Sequence, residues 1–116
     1  MSDSQHRKHR GYKSQDIVAQ YLAANGWPFA LSAGAGRQGS DITGTPALDW
    51  EVKAKADFNP QAALKQMSDR AKDGVLGIAV LRPNGWGEAK IADWPTVVPL
   101  WVMVELLREA GYGSET

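Results

Sequence analysis

The 116-residue sequence has no cysteine, which excludes disulfides and thiolate-bound zinc. It has no long apolar run. The longest such stretch, Thr96 to Leu107, is interrupted by Pro99 and Glu105 and is too short to span a bilayer. Neither sign of charge is in excess, with 13 basic and 13 acidic side chains. There is no Gly-x-x-x-x-Gly-Lys loop, so nucleotide hydrolysis of the P-loop kind is excluded. A nucleophile elbow is missing too, and Gly34-Ala35-Gly36 does not open a helix as a dinucleotide fingerprint would. The basic first residues lack an apolar stretch, so no secretory signal is expected. A reduced, cytoplasmic protein follows as the expectation, with no membrane partner.

What the chain does contain suits one domain with one modest core. Apolar residues make up 43% of it, ordinary for a globular chain and too many for wholesale disorder. The balanced charge is unevenly placed. Residues 1–13 carry Arg7, Lys8, Arg10 and Lys13 against Asp3, a net of +3 that leaves −3 on the rest. A short basic arm on a mildly acidic body suits contact with phosphates, although a solvated terminus has the same composition. His6 and His9, three residues apart in that arm, make poor metal ligands.

Residues 1–9 read as a polar, flexible arm, 10–112 as the domain and 113–116 as a loose tail. Ile17, Val18, Tyr21 and Leu22 recur at helical spacing, and Asn25-Gly26 is a helix stop. Trp27 to Leu31 reads as a short strand, followed by a glycine-rich loop with Gly34, Gly36, Arg37 and Gly39. Asp41 to Thr43 and Leu48 to Lys55 read as two further strands around a Gly44-Thr45-Pro46 turn. The second alternates, with Trp50, Val52 and Ala54 on one face and Asp49, Glu51, Lys53 and Lys55 on the other. Asn59 is placed to cap a helix opened by Pro60 and running to about Lys72. Val75 to Leu81 suits a central strand, Trp86 to Ile91 its partner, and Val98 to Ala110 a last amphipathic helix. The expected order is α-β-β-β-α-β-β-α, a mixed sheet flanked by helices.

Chemistry concentrates at Gly39-Ser40-Asp41 and, after nine intervening residues, at Glu51-Val52-Lys53. Adjacent strands can bring the two carboxylates to one point. With the backbone carbonyl of Val52 they make a hard oxygen site suited to Mg²⁺ or Mn²⁺ and phosphate oxygens. Lys53 beside it would position a water or stabilise a phosphoryl transition state. The same spacing also fits a surface hairpin of alternating charge. Arg37 and Lys55 are further candidates for phosphate contact, and each also fits a solvated basic side chain.

Gly39-Ser40-Asp41-Ile42 followed by Trp50-Glu51-Val52-Lys53-Ala54 resembles the core of the PD-(D/E)XK nuclease superfamily. Upstream, Arg10-Gly11, the helix through Ile17, Val18 and Leu22, and Asn25-Gly26-Trp27 are similar to archaeal-type Holliday junction resolvases. The resemblance covers about residues 10–82 and implies a restriction-endonuclease-like α/β fold. It implies that Asp41 and Glu51 bind Mg²⁺ or Mn²⁺ and that Lys53 is the catalytic lysine. Ser40 stands where the family name has proline. Resolvases usually place a glutamate on the first helix, four residues after the glycine; here that position is Gln15, which can hydrogen-bond a water but adds no charge, so one-metal chemistry is expected.

The resulting expectation is a metal-dependent endonuclease for branched DNA, from a phage or a bacterium. Asp41, Glu51, Lys53 and Gln15 form its site, with Val52 as a third metal ligand. Arg7, Lys8, Arg10, Lys13, Arg37 and Lys55 grip the DNA backbone. A homodimer would face the two symmetric strands of a junction, paired through Val98, Val102 and Leu106 of the last helix or through the tryptophan-bearing hairpin. The alternatives are a nuclease of the same fold acting on duplex, flaps or ends, and a non-catalytic nucleic-acid-binding module.

Overall fold

A computed structural model describes residues 3–34, 39–55, 58–70 and 73–113, with side chains over 12–34, 39–55, 58–69 and 73–113. It is a mixed α/β arrangement. Helix α1 (Asp3–Ala24) leads into strands β1 (Leu31–Ser32), β2 (Ile42–Thr43) and β3 (Leu48–Ala54). Helix α2 (Pro60–Arg70), strand β4 (Leu76–Arg82), a 3-10 segment (Glu88–Asp93), strand β5 (Thr96–Val97) and helix α3 (Leu100–Glu109) follow. Strands β1 and β2 pair antiparallel. Strand β3 runs parallel to β4, with Glu51 opposite Ala79, and β5 lies antiparallel on the far side of β4. No helix among the described residues is long and apolar enough to cross a membrane.

Two apolar clusters sit on opposite faces of the β3–β4 sheet. Ile17, Val18, Ala19 and Leu22 of α1 pack with Trp50, Val52 and Val80, together with Ala30, Ile42 and Trp94. Ala63 and Met67 of α2 pack with Ala79 on the other face. Strand alternation accounts for the split, because residues 50, 52 and 80 point to the face opposite 51 and 79. Each fully buried large side chain contributes roughly 1.5–3 kcal/mol, and the α1 side carries most of them. Gly77 lets α2 seat closely: a Cβ there would lie 3.0 Å from that of Met67.

The caps behave as their residues dictate. Asn59 Oδ1 accepts a 3.0 Å hydrogen bond from the Ala62 N–H, and Pro60 opens α2. Gly26, at φ 124°, takes the left-handed conformation that stops α1.

Several expectations are corrected. Helix α1 begins at Asp3, so the arm expected over residues 1–9 is helical from Asp3 onward. Gln5, Arg7, Lys8 and Arg10 are good helix formers, and Gly11 alone does not break the run. The strand expected over Trp27 to Leu31 reduces to Leu31–Ser32, because Pro28 and Phe29 lie in a turn closed by the Ala30 N–H on the Trp27 carbonyl. Trp86 to Ile91 is not the partner of β4. That place belongs to Thr96–Val97, which the Leu81 N–H extends by bonding the Pro95 carbonyl. Residues 88–93 instead form the 3-10 segment, which returns Trp94 to the core.

Arg82, at the end of β4, fastens that return. Its Nε donates to the Trp86 carbonyl at 2.8 Å and its Nη1 to Ser14 Oγ of α1 at 3.0 Å. The guanidinium lies 5.3 Å from the centre of the Trp94 ring, a cation–π contact. Of the helically spaced residues Ile17, Val18, Tyr21 and Leu22, Tyr21 is exposed and the other three are buried.

Gly44 closes the β2–β3 turn at φ 80°, and a Cβ built there would meet the Phe29 carbonyl carbon at 2.6 Å. Gly44→Ala therefore carries both left-handed strain and a backbone collision. It is expected to lower the unfolding free energy by about 2 kcal/mol or more in urea titrations; an unchanged midpoint would mean that the turn relaxes freely.

Candidate active site

The site is built on the seam between β2 and β3. Two consecutive side chains and one backbone bond make the join. Ser40 Oγ donates to the Ile42 carbonyl at 2.7 Å and accepts from the Trp50 N–H at 2.9 Å. The Asp41 N–H donates to the Trp50 carbonyl at 2.8 Å. A serine thus serves at this position because its hydroxyl replaces a missing ladder bond. Trp50 is held in turn by its indole N–H on Thr45 Oγ1 at 3.1 Å.

Asp41 is brought to β3 by its own carboxylate. Its Oδ2 accepts the Val52 N–H at 2.7 Å, a short charge-assisted bond. Asp41 lies in the bend just before β2, and its carboxylate stands at the edge of β3 beside Val52, which lies between Glu51 and Lys53 in the chain. Trp50 directs both its N–H and its carbonyl to the β2 edge, and Val52, two residues on, directs its N–H there as well. The Val52 carbonyl therefore points to the same edge, beside the Asp41 carboxylate.

Glu51 is 4% exposed, and its Oε1 lies 3.3 Å from Lys53 Nζ. The Lys53 side chain is 40% exposed, so the cation stands at the mouth and the carboxylate at the floor. Asp49, two residues before Glu51 on the same face, is buried as well. The alternation of β3 marked Asp49 as polar-facing, but no local pattern announced its burial. Asp49 and Glu51 are both partnered where they are buried.

Gln15 is on α1, which packs against the other face. Its neighbour Ser14 bonds Arg82, and Arg82 pairs in register with Ala54, so this part of the helix stands at the end of the sheet where Lys53 lies. Gln15 Oε1 is buried with no hydrogen-bond partner. A buried carbonyl oxygen in that state suits an ordered water or another donor.

The donor set fits a hard divalent cation. Two carboxylates and a peptide carbonyl are the oxygen ligands that Mg²⁺ and Mn²⁺ take, with waters filling the remaining positions. Among the described residues no group of three or more His, Cys, Asp and Glu could hold a metal, so any such site relies on the carbonyl and on water. The basic residues expected to grip DNA are only partly described. Lys13 is exposed on α1, and Lys55 is exposed just beyond β3, where the chain leaves the strand and the alternation ends. The backbone of Arg7, Lys8 and Arg10 is helical, while their side chains and the whole of Arg37 lie outside the described residues. Trp94 is buried under Arg82 and Trp86 is half-buried under Lys90, so neither is presented for base stacking.

Comparison with family models, curated proteins and solved structures found no match to this chain.

Two substitutions separate architecture from chemistry here. Ser40→Ala removes the hydroxyl that joins β2 to β3 and is expected to cost about 1–2 kcal/mol in denaturant unfolding. Asp41→Asn keeps an oxygen for the Val52 N–H but removes the charge. Its stability should stay within about 1 kcal/mol of wild type, while Mn²⁺ affinity, read by calorimetry, should fall at least tenfold. Equal Mn²⁺ binding in both proteins would remove Asp41 from the ligand set.

Proposed function

We propose that the chain is a divalent-metal-dependent DNA endonuclease with a restriction-endonuclease-like fold, acting on branched DNA of the Holliday junction type. One observation carries the reading. The 2.7 Å bond from the Val52 N–H to Asp41 Oδ2 fixes that carboxylate against the strand segment bearing Glu51 and Lys53. Burying Glu51 beside Lys53 carries a desolvation cost that apolar packing of β3 does not require, which supports a functional use for the pair.

Asp41, Glu51 and the Val52 carbonyl would hold Mg²⁺. Bound there, the ion would acidify a water and offset charge on a phosphodiester. Lys53, at the mouth, would donate to that water or to a non-bridging phosphate oxygen. Hydrolysis there would form one P–O bond from the water and break the ester P–O bond opposite it, the water giving up a proton to solvent and the leaving oxygen taking one up from solvent. Lys13 and Lys55, with Arg7, Lys8, Arg10 and Arg37, would neutralise the DNA backbone without reading sequence.

A second reading has its own observation. Glu51 and Lys53 already pair with each other, which a non-catalytic nucleic-acid-binding module would also do. Cleavage of a four-way junction and of the matching linear duplex, in Mg²⁺, Mn²⁺ and EDTA, distinguishes the two. Metal-dependent cutting that favours the junction is expected. Lys53→Ala should lower turnover roughly 100-fold or more with binding retained. Equal rates on both substrates would replace the junction by ordinary duplex. Binding with no cutting in either metal would leave the binding module.

A further inference from the structure

A gap in the packing lies between α2, the start of β4 and α3. Residues 74 and 77 are glycines, so the chain entering β4 brings few side chains to fill it, and a cleft of about 470 Å³ opens beside Leu64, Met67 and Val102. That volume is within the range of small-molecule sites, and the walls are mostly apolar, as such sites are. Gly77 pairs in register with Asp49 and Leu81 with Lys53, so the cleft stands at the other end of the sheet from the lysine. Helix α3 meets the cleft with two rows of side chains at i, i+4 spacing. Val102 and Leu106 form one row; Val102, expected at a contact between two copies, is buried instead. Trp101, Glu105 and Glu109 form the other row and are exposed, which makes it the rim.

The rim carries charge of one sign. Glu105 and Glu109 lie one turn apart, a spacing at which like charges repel, and Glu109 closes the helix, where the macrodipole already places negative charge. Among the described residues neither glutamate takes part in an ion pair. Arg108 lies near Gly113, and Lys65 of α2 pairs with Asp69 at 2.7 Å. We infer that the cleft binds a small organic cation, an ammonium group carried on an apolar body. The body fills the gap over Leu64, Met67 and Leu106, where apolar contact replaces water. The ammonium stays at the rim, between the carboxylates of Glu105 and Glu109, and the Trp101 indole, one turn before Glu105, can offer it a ring face. An anion would meet two like charges, and a neutral ligand would leave both uncompensated, so the rim selects the cation. The inference does not depend on the nuclease reading.

Titration calorimetry of the full chain with phenylbutylammonium chloride tests it, with phenylbutanol as the uncharged probe of the same shape. The ammonium ion is expected to bind a single site with a dissociation constant below about 1 mM, and the alcohol roughly fivefold more weakly or worse. Glu105→Gln combined with Glu109→Gln changes two exposed positions. It should weaken the ammonium ion about fivefold or more with the far-ultraviolet circular dichroism unchanged, whereas Glu88→Gln, on the 3-10 segment, should leave binding as it is. Trp101→Ala should weaken both probes. Equal affinity for the two probes would reduce the cleft to an apolar gap and overturn the proposal. No saturable binding of the ammonium ion would overturn it as well. Affinity unchanged in the double glutamine variant or in Trp101→Ala would do the same, by placing the binding elsewhere.

Discussion

The site depends on one hydrogen bond, the Val52 amide donating to the carboxylate of Asp41. It does two things at once. It supplies a ladder bond on the edge of β3 where β2 has all but ended, and it sets a negative charge against the strand that carries Glu51 and Lys53. Ser40 completes the join by bonding the Trp50 amide, so two consecutive side chains do the work of a longer strand. A purely backbone ladder would have held β2 equally well, but it would have placed no carboxylate there.

The two faces of the β3–β4 sheet divide the labour. The α1 face holds the larger apolar cluster, with Trp50 and Val52 at its centre, and fixes where β3 lies. The α2 face is thinner, with Ala63 and Met67 on Ala79, and beside it the same strand turns Asp49, Glu51 and Lys53. Polar side chains can be buried on that face because the other one supplies most of the apolar burial. Arg82 links the end of this sheet to α1 through Ser14, which is why position 15 stands at the Lys53 end.

Much of this was legible in the chain. The alternation of residues 48–55 put Glu51 and Lys53 on one face, Asn59-Pro60 marked the start of α2 and Asn25-Gly26 the end of α1. Each signal is local: a period, a cap or a stop. What was not legible is what depends on distant contacts. Trp86 to Ile91 reads as a strand from its apolar residues, yet Arg82 bonds the Trp86 carbonyl and faces Trp94, bending the segment back on itself. The side of α3 that the body covers was hidden for the same reason, since Val98, Val102 and Leu106 satisfy a helical period as well as the exposed Leu100, Met103, Val104 and Leu107 do. Periodicity alone does not say which of two apolar faces the body covers. Asp49 was visible as polar but not as buried, because burial depends on what packs over a strand face and not on its alternation.

The seam at Asp41 also makes the site a thermodynamic sensor of its own hairpin. Strands β1 and β2 are only two residues each and reach the main sheet through a handful of hydrogen bonds. Opening of residues 40 and 41 alone would free the Asp41 carboxylate from β3, whereas opening of the whole hairpin would also uncover Ile42 and the core it shares with Trp50 and Val52. A ligand that grips both acids would therefore rigidify the hairpin, and protection of the Val52 amide against deuterium uptake becomes a direct gauge of how firmly the two halves are clasped.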